Sequence, residues 1–256
     1  FFFKQKTAYE ITRCLEFRRV LFRSLKDIQV VILDEADEML NMGFQEDIEE
    51  ILSHTPETKN TWLFSATMPA EIRQIADEFM NLPKELVMGK KNEAADNLEH
   101  HYYVIHERDR YPALKRLLDA SPELFAVVFC RTKIDTQKVA EQLIRDGYNA
   151  DALHGDLSQQ QRDKVMDRYR QRSLQVLVAT DVAARGIDVS NITHVIHYHL
   201  PDEIENYTHR SGRTARAGKS GLSLVLVNVR EQDKIRQIER KIKCKFHLSQ
   251  IGRAHV

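Results

Sequence analysis

Short apolar runs alternate with helical stretches from Leu25 onward, and this alternation restricts the fold more than any other feature of the sequence. Apolar runs of this kind predict parallel strands that are covered by helices on both faces. The predicted strands cover residues 28–33, 61–64, 85–88, 101–105, 126–130, 149–153, 174–179, 194–198 and 222–227. Repeated strand and helix units, joined by right-handed crossovers, predict an α/β fold built on doubly wound parallel sheets.

Two of the predicted helices have clear ends. The first ends before Gly147, a residue type common just after a helix, and its apolar stripe contains Ile134, Val139, Ala140, Leu143 and Ile144. The second runs through Tyr169. Ser158 and Gln161 have the spacing of a capping box at its start.

The composition limits the classes of protein that the chain can belong to. With 42% apolar and 30% charged residues among 256, it is neither disordered nor membranous in composition. No apolar run approaches the roughly 18 to 20 residues of a membrane-spanning helix. Lys plus Arg equals Asp plus Glu at 38 each, so any nucleic-acid surface must be a local patch. The cysteines Cys14, Cys130 and Cys244 indicate neither a disulfide framework nor a zinc site, which fits a reducing cytosol.

The polar and charged stretch 89–97 is the predicted linker between two domains. It separates residues 25–88, predicted as an incomplete first domain, from residues 98–246, predicted as a complete second one. Residues 1–24 have neither the layout of a signal peptide nor a helical stripe. We interpret them, and the last residues of the tail 247–256, as non-native. The alternative for residues 1–24 is a native basic arm that touches nucleic acid.

Four apolar residues, Val30 to Leu33, run directly into Asp34 and Glu35. A buried strand with this ending delivers two carboxylates to the edge of a parallel sheet, where nucleotides bind. Hard cations such as Mg²⁺ prefer oxygen ligands, so carboxylates suit such a site. The alternative is an acidic helix start, because carboxylates favour the first turn of a helix.

A second predicted strand ends at Ser65 and Thr67, ahead of a helix that begins near Pro69. By themselves these hydroxyl groups are typical of helix capping. Their position after the acidic pair favours a functional role instead.

Arg210, Arg213 and Arg216 recur at three-residue spacing in the stretch YTHRSGRTARAG, residues 207–218. On a helix this spacing places the three guanidinium groups on roughly one face. Clustered arginines suit multiply charged oxyanions, because the planar guanidinium binds phosphate bidentately and keeps its charge. The alternative is a solvated basic face, although such a face usually interleaves acidic residues, as residues 233–245 do.

Taken in order, these stretches resemble the motifs of DEAD-box RNA helicases, in superfamily 2. The resemblance extends from about Leu25 to Phe246. The matching stretches are Asp34–Asp37 (motif II), Ser65–Thr67 (motif III), Val127–Thr132 (motif IV), His154–Asp156 with Gln159–Arg162, Ala179–Asp188 (motif V) and His209–Gly218 (motif VI). Chance does not account for six motifs in the family's order and spacing.

The resemblance implies two RecA-like lobes, with ATP in the cleft between them and single-stranded RNA across both. It implies that Asp34 holds Mg²⁺ through water and that Glu35 acts on the attacking water. Arg213 and Arg216 would be arginine fingers, which stabilise charge in phosphoryl transfer. The other implied roles are nucleotide binding by Gly186, Asp188 and Arg210, coupling of hydrolysis to strand separation by Ser65, Thr67 and His209, and RNA backbone contacts by Arg131, Gly155, Arg162 and Thr180.

We therefore expect an ATP-dependent RNA helicase that uses ATP and Mg²⁺ and works as a monomer in the cytoplasm, away from membranes. Its RNA contacts should go to phosphate and sugar, so its affinity should depend on salt rather than on base sequence. One alternative is an RNA-binding or partner-binding RecA-like module without catalysis. Another is a DNA-directed relative in superfamily 2.

The sequence departs from the family pattern in two places. Ala215 stands where many family members have Gly, a change that a helix tolerates. None of the 29 residues before Val30 is glycine, so the phosphate loop with its Lys is missing. We therefore expect a fragment that cannot bind ATP alone. In it, residues 25–88 should be poorly stable and residues 98–246 should fold alone.

Overall fold

The computed structural model describes residues 2–3, 25–87, 97–185, 187, 189–216 and 218–251. The chain divides into two compact units, Phe1–Met88 (unit 1) and Gly89–Val256 (unit 2). Each unit is built on a sheet of parallel strands. Among the described residues, no helix is both long enough and apolar enough to span a bilayer.

Unit 1 contains a sheet in the order β1-β2-β3, with strands Phe2–Phe3 (β1), Val30–Leu33 (β2) and Asn60–Leu63 (β3). Its helices are Ala36–Asn41 (α1), Gln45–Ser53 (α2) and Ala70–Phe79 (α3). The core lies where the helices cover the sheet, and it is formed by Val31, Leu33, Ala36, Ile48, Leu52, Ile72 and Ile75. Strand β1 belongs to the segment that we interpreted as non-native, and it pairs with β2 from Ile32 to Leu33.

An exposed aromatic pair lies on and directly after strand β3 in unit 1. Trp62 and Phe64 are at least half exposed, and their rings meet edge to face with centroids 6.5 Å apart. The predicted strand 85–88 is wrong for its described part, because residues 83–87 have no regular structure. Leu86 and Val87 are largely exposed there. An apolar run becomes a strand only where a neighbouring strand supplies hydrogen bonds, and Pro83 lacks the N–H that such a ladder needs.

Unit 2 is built on a seven-stranded parallel sheet in the order β10-β4-β9-β8-β5-β7-β6. Its strands are Leu98–Val104 (β4), Ala126–Phe129 (β5), Ala150–Leu153 (β6), Val176–Ala179 (β7), His194–His197 (β8), Gly221–Val227 (β9) and His247–Leu248 (β10). Its helices are Arg110–Asp119 (α4), Lys133–Arg145 (α5), Gln159–Arg170 (α6), Asp181–Ala184 (α7), Ile204–Ser211 (α8) and Gln232–Ile242 (α9). The fold class predicted from the sequence, α/β with parallel sheets, is confirmed.

Strand β5 is buried on both faces. Ala126 and Val128 belong to one core cluster, whereas Val127 and Phe129 belong to another. Because successive side chains of a strand point to opposite faces, helices must cover both sides of the sheet. This explains why β5 is a continuous apolar run rather than an alternating one.

Both predicted helix boundaries are confirmed. Helix α5 ends before Gly147, which has φ +89 and lies in the left-handed region that favours glycine. Helix α6 opens with a complete capping box between Ser158 and Gln161. The predicted apolar stripe of α5 is wrong at its ends, because Ile134 is 73% exposed and Ile144 is 51% exposed. At Ile134 and Ile144, therefore, α5 is not covered by the rest of the unit.

A chain of hydrogen bonds runs through the core of unit 2 beneath α8. His100 Nδ1 lies 2.6 Å from the Tyr207 hydroxyl, which lies 2.9 Å from Ser223 Oγ. His197 Nε2 lies 3.2 Å from both Ser223 Oγ and Ser211 Oγ. All five side chains are buried. Burial lowers the pKa of His100 to about 4 and holds the pKa of His197 well below its usual value, with nearby Arg210 acting in the same direction.

We predict that unit 2 loses stability as the pH falls from about 6.5 toward 4. The unfolded chain binds a proton at each histidine near pH 6.5, whereas the folded chain resists protonation of His100 until about pH 4. Each such histidine lowers the free energy of unfolding by up to about 1.4 kcal/mol per pH unit in this window, and neither contributes above it. Urea denaturation followed between pH 7.5 and 5 measures the slope.

The variant His100→Gln should flatten this slope, whatever its effect on stability at pH 7.5. The matched control is His106→Gln, because His106 is exposed. Equal slopes for His100→Gln and the unchanged chain would show that His100 takes up its proton normally in the folded state.

Candidate functional site

The acidic pair of unit 1 lies at the carboxyl end of β2, as predicted. Asp34 is exposed, and its Oδ1 accepts a hydrogen bond of 3.0 Å from the Glu35 backbone N–H. Glu35 precedes α1 with φ 52 and ψ 46, in the left-handed region. A non-glycine residue in this region is strained, and such strain is often found at functional sites. The alternative interpretation, an acidic helix start, is also supported, since Asp37 and Glu38 occupy the first turn of α1.

Asp37 joins the two strand ends of unit 1. Its Oδ2 accepts hydrogen bonds from the Thr67 backbone N–H at 2.8 Å and from the Thr67 hydroxyl at 2.7 Å. Ser65 Oγ accepts from the Asp37 backbone N–H at 3.3 Å and donates to the Thr67 carbonyl at 2.6 Å. Helix α3 has no side-chain cap, so these hydroxyl groups do not cap it. Asp37 falls within the predicted motif II stretch but was assigned no role, because its partner Thr67 is 30 residues away and nothing local indicates the pairing.

The four predicted RNA contacts lie near the carboxyl ends of β5, β7 and β6. Arg131, Thr180 and Gly155 follow these strands directly or within two residues. Because β7 lies between β5 and β6, their ends share one edge of the sheet. Arg162 Nη2 donates to the Ala183 carbonyl at 3.5 Å, and the hydroxyl of Thr180 caps the helix that contains Ala183. The structure therefore brings the predicted residues into one neighbourhood.

Arg131 and Gly155 differ in how available they are to a ligand. The Arg131 guanidinium lies 3.6 Å from the Asp202 carboxylate and 3.9 Å from the Glu231 carboxylate, so its charge is partly balanced. Gly155 is exposed, and a Cβ placed there would meet nothing within 4 Å. The backbone at Gly155 is thus accessible to a large ligand.

His154 holds the loop that contains Gly155. Its Nε2 lies 2.9 Å from Gln137 Oε1 on α5, and its Nδ1 accepts a hydrogen bond of 3.4 Å from the Asp156 backbone N–H. Burial lowers the pKa of His154, and the nearby Asp156 carboxylate opposes this shift. The neutral ring, with its proton on Nε2, fits both bonds.

The three arginines of residues 207–218 do not share a helical face, so that prediction is wrong. Helix α8 ends at Ser211, which leaves Arg213 and Arg216 in the loop that leads to β9. Ala215 is not helical either, because its φ of 56 lies in the left-handed region. Arg216 Nε donates to the Gly212 carbonyl at 2.8 Å, and Arg213 is only 7% exposed, with Nη1 donating to the Ile187 carbonyl at 3.3 Å.

Arg210 is buried in unit 2 and its charge is balanced there. Its Nε and Nη2 donate to the two carboxylate oxygens of Asp181, the latter at 2.6 Å. Its Nη1 donates to the His199 carbonyl at 2.7 Å, and the guanidinium lies 5.1 Å from the centroid of the Phe129 ring. His209 precedes Arg210 on α8 and is partly buried. Gly186 and Asp188, predicted to bind nucleotide, lie outside the described residues.

Comparison with known families gives two matches. The model described as DEAD/DEAH box helicase matches residues 7–75, and the model described as helicase conserved C-terminal domain matches residues 109–218. A solved chain of the Escherichia coli DEAD-box protein SrmB, bound to the regulator of ribonuclease activity A, is 32% identical with a TM-score of 0.56. The match covers 60% of this chain and 92% of that one. This chain belongs to the DEAD-box helicase family.

Other DEAD-box proteins are similar over most of this chain. The DEAD-box ATP-dependent RNA helicase CshA of Geobacillus kaustophilus is 48% identical over 87% of this chain and 48% of its own length. The Bacillus subtilis CshA is 46% identical over 87% of this chain and 45% of its own length. The chain therefore spans about half the length of the curated relatives that it matches.

Two further solved structures confirm the RecA-like, parallel-sheet fold. A DEAD-box protein from Methanococcus jannaschii is 46% identical with a TM-score of 0.58, over 88% of this chain and 61% of that one. Yeast Dbp5 bound to RNA and ADP BeF3 is 27% identical with a TM-score of 0.85, over 93% of this chain and 63% of that one.

We predict that Asp37→Ala lowers the free energy of unfolding of unit 1 by about 2 to 3 kcal/mol. The change leaves the two donors of Thr67 without their charged acceptor, and hydrogen bonds to charged groups are worth about 1.5–3 kcal/mol. Hydrogen exchange of the α1 and β3 amides measures the loss. The matched control is Asp34→Ala, because Asp34 is exposed and accepts a hydrogen bond from the neighbouring Glu35 backbone N–H. Equal losses in both variants would mean that the link to Thr67 adds no stability.

We predict that Gly221→Ala destabilises unit 2 and displaces the loop that contains Arg213 and Arg216. A Cβ at Gly221 would lie 2.3 Å from Thr214 Oγ1 and 2.7 Å from the Ala215 backbone N. Overpacking of this kind costs about 1–3 kcal/mol. Gly155→Ala is the matched control, since nothing lies within 4 Å of its Cβ. Urea denaturation of both variants tests the contact, and equal midpoints would contradict it.

Proposed function

We propose that this DEAD-box chain forms part of an ATP-dependent RNA helicase, in which RNA-stimulated ATP hydrolysis is coupled to local unwinding of RNA duplexes. The observation that carries the proposal is the bonding of Asp37 to Ser65 and Thr67. It ties the first turn of α1, which directly follows the acidic pair, to the end of a second strand, as coupling requires. The relatives named as DEAD-box ATP-dependent RNA helicases support the same activity.

The acidic pair fits a Mg²⁺ site in which the ion keeps most of its waters. Asp34 offers an exposed carboxylate at a strand end. Within the described part of the chain, no cluster of three or more metal-ligating side chains could enclose an ion. Mg²⁺ usually keeps several waters and is bound by one or two carboxylates together with substrate phosphates. When bound, the ion would neutralise phosphate charge.

Each residue in the proposed reaction has a separate task. Asp34 would hold the ion through its waters, and Glu35 positions the attacking water and takes its proton. Arg213 and Arg216 stabilise the charge that develops on the transferred phosphoryl group. Gly186 and Asp188 bind the nucleotide, with Asp188 at the ribose hydroxyls. Ser65, Thr67 and His209 couple hydrolysis to strand separation.

Arg210 was expected to bind nucleotide directly, but its contacts suit a positioning role better. Its Nε, Nη1 and Nη2 groups all donate to acceptors inside unit 2. Removing one partner from a buried ion pair costs about 3–5 kcal/mol. We therefore assign Arg210 to positioning the loop of Arg213 and Arg216 rather than to direct contact with phosphate.

The carboxyl edge of unit 2 is the proposed RNA-binding surface. Arg131 and Arg162 provide charge, Thr180 a hydroxyl and Gly155 an open backbone. Such contacts go to phosphate and sugar and do not read bases. All four residues belong to unit 2, and this observation favours the second candidate function, an RNA-binding module without catalysis.

The proposal also covers the domain organisation of the protein, its oligomeric state and its location in the cell. Residues 25–88 would belong to the first RecA-like lobe, residues 89–97 to the linker and residues 98–246 to the second lobe. Residues 1–24 and the last residues of 247–256 would be non-native. The protein would act as a monomer in the cytoplasm.

We predict that a chimera restores RNA-stimulated ATP turnover. It joins residues 25–246 of this chain to the amino-terminal part of the Geobacillus kaustophilus relative. In that chimera, Glu35→Gln should abolish turnover and leave RNA affinity unchanged, because it removes only the base that acts on water. Phosphate release and fluorescence anisotropy with a short RNA measure the two properties. Glu71→Gln, an exposed change on α3, is the control. A chimera that binds RNA without any turnover would favour the binding-module function instead.

A further inference from the structure

Arg131 lies at one end of the proposed RNA-binding surface, where the carboxyl edge of unit 2 becomes acidic. The other proposed RNA contacts lie at β7, β6 and α6, whereas β8 and β9 lie on the opposite side of β5. Asp202 follows β8, and Glu231 directly precedes α9, the helix after β9. Both carboxylates face the Arg131 guanidinium. The RNA-binding edge therefore meets two acidic residues at this one cation.

Glu231 is held firmly by the fold. Its side chain is only 17% exposed, and its Oε2 accepts a hydrogen bond of 3.0 Å from the Asn228 backbone N–H. The same oxygen accepts from Nη2 of the buried Arg110 at 3.4 Å. Arg110 Nη1 in turn donates to the carbonyls of Tyr198 and Leu226, at the carboxyl ends of β8 and β9. Glu231 therefore cannot move without disturbing the sheet.

Asp202, by contrast, can separate from Arg131 easily. Its side chain is 73% exposed, and its Oδ1 lies 3.6 Å from Arg131 Nε. On the other side of the guanidinium, Glu231 Oε1 lies 3.9 Å from Arg131 Nη2. Both distances exceed the roughly 2.7–2.9 Å of a charge-assisted hydrogen bond. Because exposed ion pairs of this kind contribute little to stability, separating Asp202 from Arg131 costs little.

The Arg131 guanidinium is thus held in place with its N–H donors unused. Its backbone N–H donates to His199 Nδ1 at 3.3 Å, but its guanidinium donates no hydrogen bond to any residue that the structure describes. A guanidinium keeps its charge and fits phosphate through paired N–H donors. A phosphate that offers shorter hydrogen bonds can therefore replace Asp202, while Glu231 keeps the guanidinium in position.

We propose that Asp202 is a positioning residue for RNA binding, which occupies the Arg131 guanidinium in the free protein and is replaced there by an RNA phosphate. The exchange lowers RNA affinity, because binding must separate Asp202 from Arg131 and bring a phosphate close to a carboxylate. Weaker binding at this contact favours release of the RNA. The inference rests on the proposed function for the contact between Arg131 and RNA, and it adds the residue that sets the strength of that contact.

The test is fluorescence anisotropy of the whole chain with a labelled single-stranded oligouridine at several salt concentrations. Asp202→Asn should raise RNA affinity about two- to fivefold, because the group that competes for the guanidinium loses its charge. Arg131→Gln should lower the affinity and reduce the slope of log affinity against log salt by about 0.7, the value for one lost phosphate contact. In the Arg131→Gln background, Asp202→Asn should change the affinity less than about 1.5-fold, because Asp202 acts through Arg131.

The matched control is Asp233→Asn. It removes the same charge from an exposed position at the start of α9, where Asp233 lies 3.4 Å from Arg236. This change should alter RNA affinity less than about 1.5-fold. Urea denaturation should give the same midpoint for Asp202→Asn and the unchanged chain, because Asp202 is exposed.

A gain in affinity in Asp202→Asn that Arg131→Gln abolishes supports the exchange. An equal gain in both backgrounds or in the control would show that acids at this edge simply repel RNA, and it would overturn the proposal, as would no gain at all. An unchanged affinity in Arg131→Gln would remove Arg131 from the RNA-binding surface, and the exchange with it. These measurements need no turnover, so a chimera that fails to hydrolyse ATP would count against the proposed function and leave the exchange standing.

Discussion

The ion pair between the buried Arg210 and Asp181 determines how the functional residues of unit 2 are placed. Asp181 follows Thr180 at the carboxyl end of β7, and Arg210 lies one residue before the end of α8. The pair ties the proposed RNA-binding edge to the helix from which the arginine loop begins. A buried guanidinium is stable only with its carboxylate and its carbonyl acceptor in place, so neither element can shift alone. The loop with Arg213 and Arg216 therefore starts from a fixed point.

In unit 1, too, a carboxylate joins two elements of the fold. Asp37, buried at the start of α1, accepts two hydrogen bonds from Thr67 and fixes the end of β3 against the end of β2. Both carboxylates come just after a strand, yet neither is the residue proposed to act on phosphate. In each unit, an acid positions the groups beside it, which are Asp34 and Glu35 in one case and the arginine loop in the other.

Local patterns predicted the central strands, the capping box of α6 and the end of α5 at Gly147, because each depends on residues close in sequence. The failures have a common cause. Leu86 and Val87 are apolar but lie outside any strand, Ile134 is largely exposed, and the three-residue spacing of Arg213 and Arg216 was assigned to a helix that ends at Ser211. The short strand β10 pairs with β4, about 146 residues away, and only the tertiary fold supplies that partner. The bonding of Asp37 to Thr67 was missed for the same reason.

The equality of 38 basic and 38 acidic residues says little about where charge is available. Arg110, Arg168 and Arg210 face carboxylates, so their charges stabilise the fold and attract little from outside. Arg172 lies over the Phe125 ring, Arg216 and Lys219 donate to the neutral oxygens of Gly212 and Asn191, and all three cations line one cavity. Because a paired cation presents almost no net charge at a distance, the electrostatic surface of unit 2 is set by which cations are left unbalanced rather than by how many there are. A chain with no net charge can thus still carry a strongly positive site.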